Sequence, residues 1–221
     1  MSSYTVTAPV TICSESYPGL NLLLPPFLSA STTPSQMQNI VRQTTSFIVS
    51  HAFPPGATLS ENVELILIPI LRAALPMYVA AQTQLSDAGC VLVRCKKAKG
   101  SKNVSIEWLG EHPVASTTSL PQDYGKHEVK RKQIILLDTV IATGDTIVSL
   151  CDEFRAGDAV RGCVTVLACY ASPESVEVVK RHEMVGRVVV GFLSESVDKE
   201  GYLIPYTNGD VGDKMFGKVN V

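Results

Sequence analysis

Gln133-Ile134-Ile135-Leu136-Leu137-Asp138 is an apolar run closed by an acid, and a helical period follows a few residues later, with Ile147, Leu150, Cys151 and Phe154 on one face. A strand with almost no polar positions has no face to offer water, so it must be covered on both sides. The pattern recurs along the chain. Glu64–Pro69 reads as a buried strand, followed by a helix from about Ala73 to Leu85 with Pro76 in its first turn. Cys90–Arg94 reads as another strand. Gly162–Cys169 is a strand, Pro173–Glu183 a helix with Ser172 as N-cap, and Arg187–Phe192 a further strand. Strands alternating with helices imply parallel pairing through right-handed crossovers. The expected fold class is therefore α/β: a mostly parallel sheet flanked by helices.

Three segments stand apart from this alternation. The first 33 residues, punctuated by Pro18-Gly19 and Pro25-Pro26, read as an irregular N-terminal arm that packs down with Leu20, Leu22, Leu23 and Leu24. Residues 34–221 then form the main domain. Its first helix opens at Thr33-Pro34, where Thr33 suits the N-cap and Pro34 the first helical position, and Met37, Ile40, Val41, Thr44, Phe47 and Ile48 share a face. Residues 96–132 are basic at both ends and rich in Gly, Pro, Ser and Thr between, while Val104, Ile106 and Trp108 alternate as in a strand. This segment reads as a projecting β-ribbon or mobile flap, or else as an ordinary solvated insertion.

Composition narrows the function classes. Nineteen basic and 21 acidic residues leave a net charge of −2, which disfavours a nucleic-acid coat, and few aromatics argue against a base-stacking platform. No apolar run approaches the ~20 residues of a membrane span. No basic region precedes an apolar stretch at the N-terminus, so a cytoplasmic protein with no membrane or nucleic-acid partner is expected. The six cysteines include no Cys-x-x-Cys pair and read as reduced core thiols.

The chemistry concentrates in Asp138-Thr139-Val140-Ile141-Ala142-Thr143-Gly144-Asp145-Thr146. In an open α/β sheet, ligands bind at the carboxyl ends of strands. A helix N-terminus there presents unpaired N–H groups and about half a positive charge to an anion. Thr143 and Thr146 add hydroxyls, Gly144 permits close backbone approach, and Asp138 suits sugar hydroxyls. Neither a Walker A loop nor a dinucleotide fingerprint is present.

This segment resembles the phosphoribosyl-diphosphate signature of type I phosphoribosyltransferases. Ile68-Pro69-Ile70-Leu71-Arg72-Ala73-Ala74-Leu75-Pro76-Met77 resembles the Pro-Ile-Leu-Arg-Ala-Gly-Leu-Gly-Met stretch of uracil phosphoribosyltransferases. Gly201-Tyr202-Leu203-Ile204-Pro205 and Gly209-Asp210-Val211-Gly212-Asp213-Lys214-Met215-Phe216-Gly217 resemble that family's C-terminal motifs. The resemblance spans roughly residues 34–217 and adds a small C-terminal hood to the expected fold.

It implies transfer of a phosphoribosyl group from phosphoribosyl diphosphate to uracil or a related base in pyrimidine salvage, with Mg²⁺ carried mainly by substrate oxygens and no metal ligands assigned to the protein. The alternative is a catalytically impaired relative that binds nucleotide as a regulator. By the same resemblance, Arg72, Asp138 and Asp210 are the catalytic residues. Ala142, Thr143, Gly144, Asp145 and Thr146 join Asp138 around the 5-phosphate, and Arg72, Ala73 and Lys96 meet pyrophosphate. Tyr202, Leu203, Ile204, Gly209 and Asp210 read the base. GTP binding and a homodimer or larger assembly are also implied.

The chain departs from the family at four places. Arg94-Cys95-Lys96-Lys97-Ala98-Lys99-Gly100-Ser101 replaces an arginine followed by acidic residues, and Lys96 is the expected substitute cation. Pro205-Tyr206-Thr207-Asn208-Gly209-Asp210 is one residue longer than the family's loop. Asp145 stands where glycine is usual, and Thr139 where proline is usual, the latter with no expected consequence.

Overall fold

The computed structural model describes residues 7–56, 62–97, 103–114, 131–156, 160–207 and 209–218. Its centre is an eight-stranded sheet. Along one path run β1 (Val10–Ile12), β8 (Val185–Leu193), β7 (Val164–Ala171), β6 (Arg131–Ile141), β2 (Val63–Leu71), β4 (Leu92–Lys97) and β5 (Val104–Leu109), with β3 (Gly89–Cys90) pairing off β2. All these pairings are parallel except the β4–β5 hairpin.

Two-sided burial follows residue by residue. In β6, Ile135 and Leu137 enter one core cluster and Ile134 and Leu136 the other. The first cluster is closed by α3 (Pro34–Ala52) and α4 (Leu75–Gln84), and the second by α5 (Asp145–Ala156) and α6 (Pro173–Val179). Each buried Leu, Ile or Val side chain contributes about 1.5–3 kcal/mol, so the sheet is the main source of stability.

Local signals decide the helix boundaries. Thr33 and Gln36 form a reciprocal capping box: Gln36 N–H donates to Thr33 Oγ1 at 3.3 Å, and Thr33 N–H to Gln36 Oε1 at 2.9 Å. Phe47, expected on the buried face, is instead exposed and lies beside the Tyr17 ring. Pro76 occupies the first turn of α4, as expected. The helix expected to reach Glu183 ends at Val179.

The described part of the expected irregular arm contains regular elements. Residues 10–28 form β1, α1 (Cys13–Ser16), a 3-10 turn (Pro18–Leu23) and α2 (Leu24–Leu28). Main-chain pairing of β1 along β8 explains the order: Val10 stands opposite Val188 and Ile12 opposite Val190. Cys13, Leu20 and Phe27 are fully buried, whereas Leu22 faces solvent.

The expected strand Cys90–Arg94 is two strands interrupted at Val91. The described part of the 96–132 segment begins with the β4–β5 hairpin, while 98–102 and 115–130 lie outside the described residues. The hairpin docks on α5: Trp108 Nε1 donates to Glu153 Oε2 at 2.7 Å, and its ring lies 5.8 Å from that of Phe154. The hood consists of the β9 (Ser196–Val197) and β10 (Leu203–Ile204) hairpin and α7 (Val211–Phe216). Four of the six free cysteines are buried, but Cys90 is exposed and Cys95 half-buried. Among the described residues no helix is long and apolar enough to cross a membrane.

Candidate active site

Three strand ends and the hood converge on one side of the sheet. At the end of β2 the Leu71–Arg72 peptide is cis, and residues 72–74 turn into α4. Arg72 Nη2 donates to Asp213 Oδ1 at 2.8 Å and Nη1 donates to Gly217 O at 3.3 Å, so the guanidinium is bound to the hood. The Thr139 hydroxyl, fully buried, donates to Ala73 O at 2.8 Å. A position expected to be inconsequential therefore ties the Arg72 turn to β6.

Asp138 does not end its strand; β6 runs on to Ile141. Its Oδ1 accepts from Val140 N–H at 3.4 Å. Burial raises its pKa to about 7, against the lowering effect of backbone N–H groups at 140 and 139. The chain then turns through Ala142, Thr143 and Gly144 into α5. Gly144 has φ +83°, and a Cβ there would meet Val179 Cγ2 at 3.2 Å and Ser175 O at 3.3 Å. Packing on α6 and a left-handed backbone thus require this glycine, a different reason from the phosphate approach expected. The N-terminus of α6 staples the same turn. Ser172 Oγ donates to Ala142 O at 2.7 Å and Ser175 Oγ donates to Ile141 O at 2.9 Å.

Asp145 does not face the turn uncompensated. It accepts from Thr143 Oγ1 at 2.7 Å and from Lys97 Nζ, which also donates to Thr143 Oγ1 at 3.2 Å. Among the described residues the cation that meets this turn is Lys97, next to Lys96, which was expected at the pyrophosphate and not at this turn. Strand parity is the signal that could have found it: Val93, Cys95 and Lys97 share one face of β4, and Lys96 lies on the other. Arg94, on the Lys96 face, is paired with Glu107 directly across the hairpin at 2.7 Å.

A cavity of about 610 Å³ lies between these parts and the hood. Of the predicted residues, Ala73, Asp138, Ala142, Tyr202, Leu203, Gly209 and Asp210 line it. Val140, Gly201, Tyr206, Thr207, Val211 and Gly212 line it too and were not predicted. Arg72, Lys96, Thr143, Gly144, Asp145, Thr146 and Ile204 are not among its lining residues. Asp210 is committed to the hood, where it caps α7 by accepting from Asp213 N–H at 2.8 Å.

The loop after the cis Ile204–Pro205 bond is held from outside the cavity. Tyr170 Oη donates to Pro205 O at 3.1 Å. Lys214 Nζ donates to Thr207 O at 3.0 Å and to Ser29 O at 2.9 Å. The Tyr202 backbone N–H foremost, and with it the Tyr206 hydroxyl, which donates to Asp198 Oδ2 at 2.9 Å, hold the Asp198 carboxyl below the usual carboxylate range. A surface groove of about 680 Å³ between residues 23–32 and α3 is of similar size, but no ionisable side chain lines it. Among the described residues no cluster of His, Cys, Asp and Glu could hold a metal on its own.

The chain is similar to known proteins in both sequence and fold. The family model described as uracil phosphoribosyltransferase matches residues 28–218. A uracil phosphoribosyltransferase of Mycoplasma genitalium is 25% identical over 203 residues, covering 85% of this chain and 89% of that protein. One from Halalkalibacterium halodurans is 28% identical over 167 residues, covering 74% and 72%. The structure of the AQ2163 protein from Aquifex aeolicus shares the fold, with a TM-score of 0.76 at 18% identity, covering 96% of this chain and all of that one. The chain belongs to the uracil phosphoribosyltransferase family and is a phosphoribosyltransferase.

Proposed function

We propose that the cavity bounded by the Arg72 turn, Asp138, the 142–146 turn and the 201–212 loop is where this enzyme carries out its reaction. The reaction is transfer of the phosphoribosyl group of phosphoribosyl diphosphate to uracil or a related base, giving a nucleoside monophosphate and pyrophosphate. The observation that supports this site is a space of about 610 Å³ lined by the half-buried Asp138 carboxyl, by Ala73 beside Arg72, by Ala142 at the start of the turn into α5 and by the hood.

In this reading the N-terminus of α5, with Thr143 and Thr146, takes the 5-phosphate. Asp138 accepts hydrogen bonds from the ribose hydroxyls. Arg72 leaves Asp213 to meet pyrophosphate, for which its planar fork of donors is suited. Backbone groups of Tyr202, Leu203, Gly209 and Asp210 read the base. As charge builds on the departing pyrophosphate, fixed donors stabilise it, so catalysis is positioning and electrostatics.

Mg²⁺ fits this site as an ion carried by the diphosphate, because such an ion keeps several waters and needs only one or two carboxylates. Of the two carboxyls lining the cavity, Asp210 caps α7 and Asp138 is the one that would meet the ion, which would neutralise the leaving group. A dimeric or larger assembly acting in pyrimidine salvage completes the proposal.

The test is incubation with Mg²⁺, phosphoribosyl diphosphate and a panel of bases, following pyrophosphate release. Release with uracil is expected. Release only with another heterocycle would reassign the base, and none with any base would overturn the site.

A further inference from the structure

We propose that Lys97 binds the 5-phosphate of the substrate, and that Asp145 serves to hold Lys97 over the phosphate turn. This deepens the phosphoribosyl reading above and rests on it.

The α5 N-terminus is suited to an anion, yet its first residue is Asp145, whose carboxylate opposes one. In the structure that carboxylate is engaged on both sides, by the Thr143 hydroxyl and by Lys97 Nζ. The ion pair cancels the charge that would otherwise repel a phosphate. Lys97 also touches Thr143, a hydroxyl of the turn itself, at 3.2 Å. An ammonium has three N–H donors. Two are directed at Thr143 and Asp145, and the lysine side chain remains 32% exposed, so a third can reach a phosphate oxygen arriving from solvent.

The placement is structural. Lys97 is the last residue of β4, and the hairpin it belongs to is docked on α5 through Trp108 and Glu153. The same helix therefore supplies both the phosphate turn and the anchor that brings the lysine to it. When phosphate enters, the Thr143 hydroxyl turns from Asp145 to the ligand, while Lys97 keeps Asp145 compensated and adds a charge-assisted bond.

Calorimetric titration with ribose 5-phosphate and, separately, inorganic pyrophosphate tests this on the full chain. Lys97→Met is expected to weaken ribose 5-phosphate binding about tenfold or more, and pyrophosphate binding by less than about twofold. Lys97→Met/Asp145→Asn is expected to recover only part of the loss, because the uncompensated carboxylate is gone while the bond from Lys97 to the phosphate is still missing; full recovery would mean that Lys97 only neutralises Asp145. Lys97→Arg retains the charge and should stay within about threefold of the wild type; it carries the test if Lys97→Met folds poorly.

Wild-type binding that Lys97→Met leaves unchanged overturns the role of Lys97 alone. Equal losses for both ligands overturn its assignment to the 5-phosphate. A double variant no better than Lys97→Met overturns the part given to Asp145. A wild-type protein that binds neither ligand overturns the phosphoribosyl reading, and this proposal with it.

Discussion

Arg72 Nη2 lies 2.8 Å from Asp213 Oδ1, joining the turn after β2 to the first turn of α7 across 141 residues of sequence. The side chains are 39% and 31% exposed, so the pair adds little to stability: double-mutant cycles on such pairs give about 0.2–1 kcal/mol. Its significance is that it parks an arginine beside the cavity. Arg72→Ala is expected to lower stability by no more than about 1 kcal/mol. The variant should weaken phosphoribosyl diphosphate binding much more than nucleoside monophosphate binding. Calorimetry with both ligands decides this, and equal losses would contradict the pyrophosphate role.

Asp138 should make both stability and binding depend on pH. Its folded pKa, raised by burial to about 7, exceeds the group's ordinary value of 3.8, so the folded state holds the proton more tightly than the unfolded chain. The group's contribution therefore declines as pH rises from about 4 to about 7. Asp138→Asn carries no ionisable group there and should gain stability relative to wild type over that window, read by denaturant melts at several pH values. The ionised carboxylate is the form that accepts from two ribose hydroxyls, so wild-type affinity for phosphoribosyl diphosphate should improve through pH 7. A difference between the proteins that does not change with pH would count against the buried carboxyl.

Thr139→Val removes one hydroxyl at nearly constant shape and leaves Ala73 O without that donor. Ala73 is half-buried and lines the cavity, so the lost hydrogen bond is expected to cost about 0.5–1.5 kcal/mol. The Arg72 turn should loosen with it. The functional readout is a rise in KM for phosphoribosyl diphosphate exceeding any change in KM for the base.

Gly144→Ala places a Cβ at φ +83°, within 3.2 Å of Val179 Cγ2 and 3.3 Å of Ser175 O. Left-handed strain alone costs about 1–2 kcal/mol. Thermal melting should show a lower Tm, and ribose 5-phosphate binding should weaken because the turn shifts off α6. A variant as stable as wild type would mean that α6 gives way.

Lys214→Met breaks two hydrogen bonds, to Ser29 O and Thr207 O, and burial already lowers the pKa of this ammonium. The 205–210 loop should lose its outer support. KM for the base is expected to rise several-fold with little change for phosphoribosyl diphosphate, since the lysine does not touch the Arg72 turn or the 142–146 turn. Steady-state kinetics with each substrate varied would reveal the opposite pattern if the loop served the sugar instead.

Much of the site was legible locally. Asp138, Ala142 and the 202–210 loop could be found because the chemistry lies in contiguous stretches: a strand end, a turn and a helix start, each with its own signal. Lys97, Thr139, Lys214 and Ser172 were harder to find because their partners are distant in sequence. Lys97 meets Thr143 and Asp145 some 46 and 48 positions away, and Lys214 meets Ser29 185 positions away. The N-terminal segment misled for the same reason. Its three-residue strand has little pattern of its own and exists through main-chain pairing with β8.

By itself the sequence determined the class of fold and the kind of ligand. Unbroken apolar strands demand cover on both faces, and an acid shortly before Ala-Thr-Gly and a helix N-terminus suits a guest that carries both hydroxyls and an anion. Tertiary structure alone decided which lysine faces the turn, why residue 144 must be glycine, and what holds the Arg72 and 205–210 loops. Those outcomes depend on strand parity, on how closely α6 packs, and on hydrogen bonds closed between segments far apart in the chain. Local patterning carries no information about which distant group will arrive.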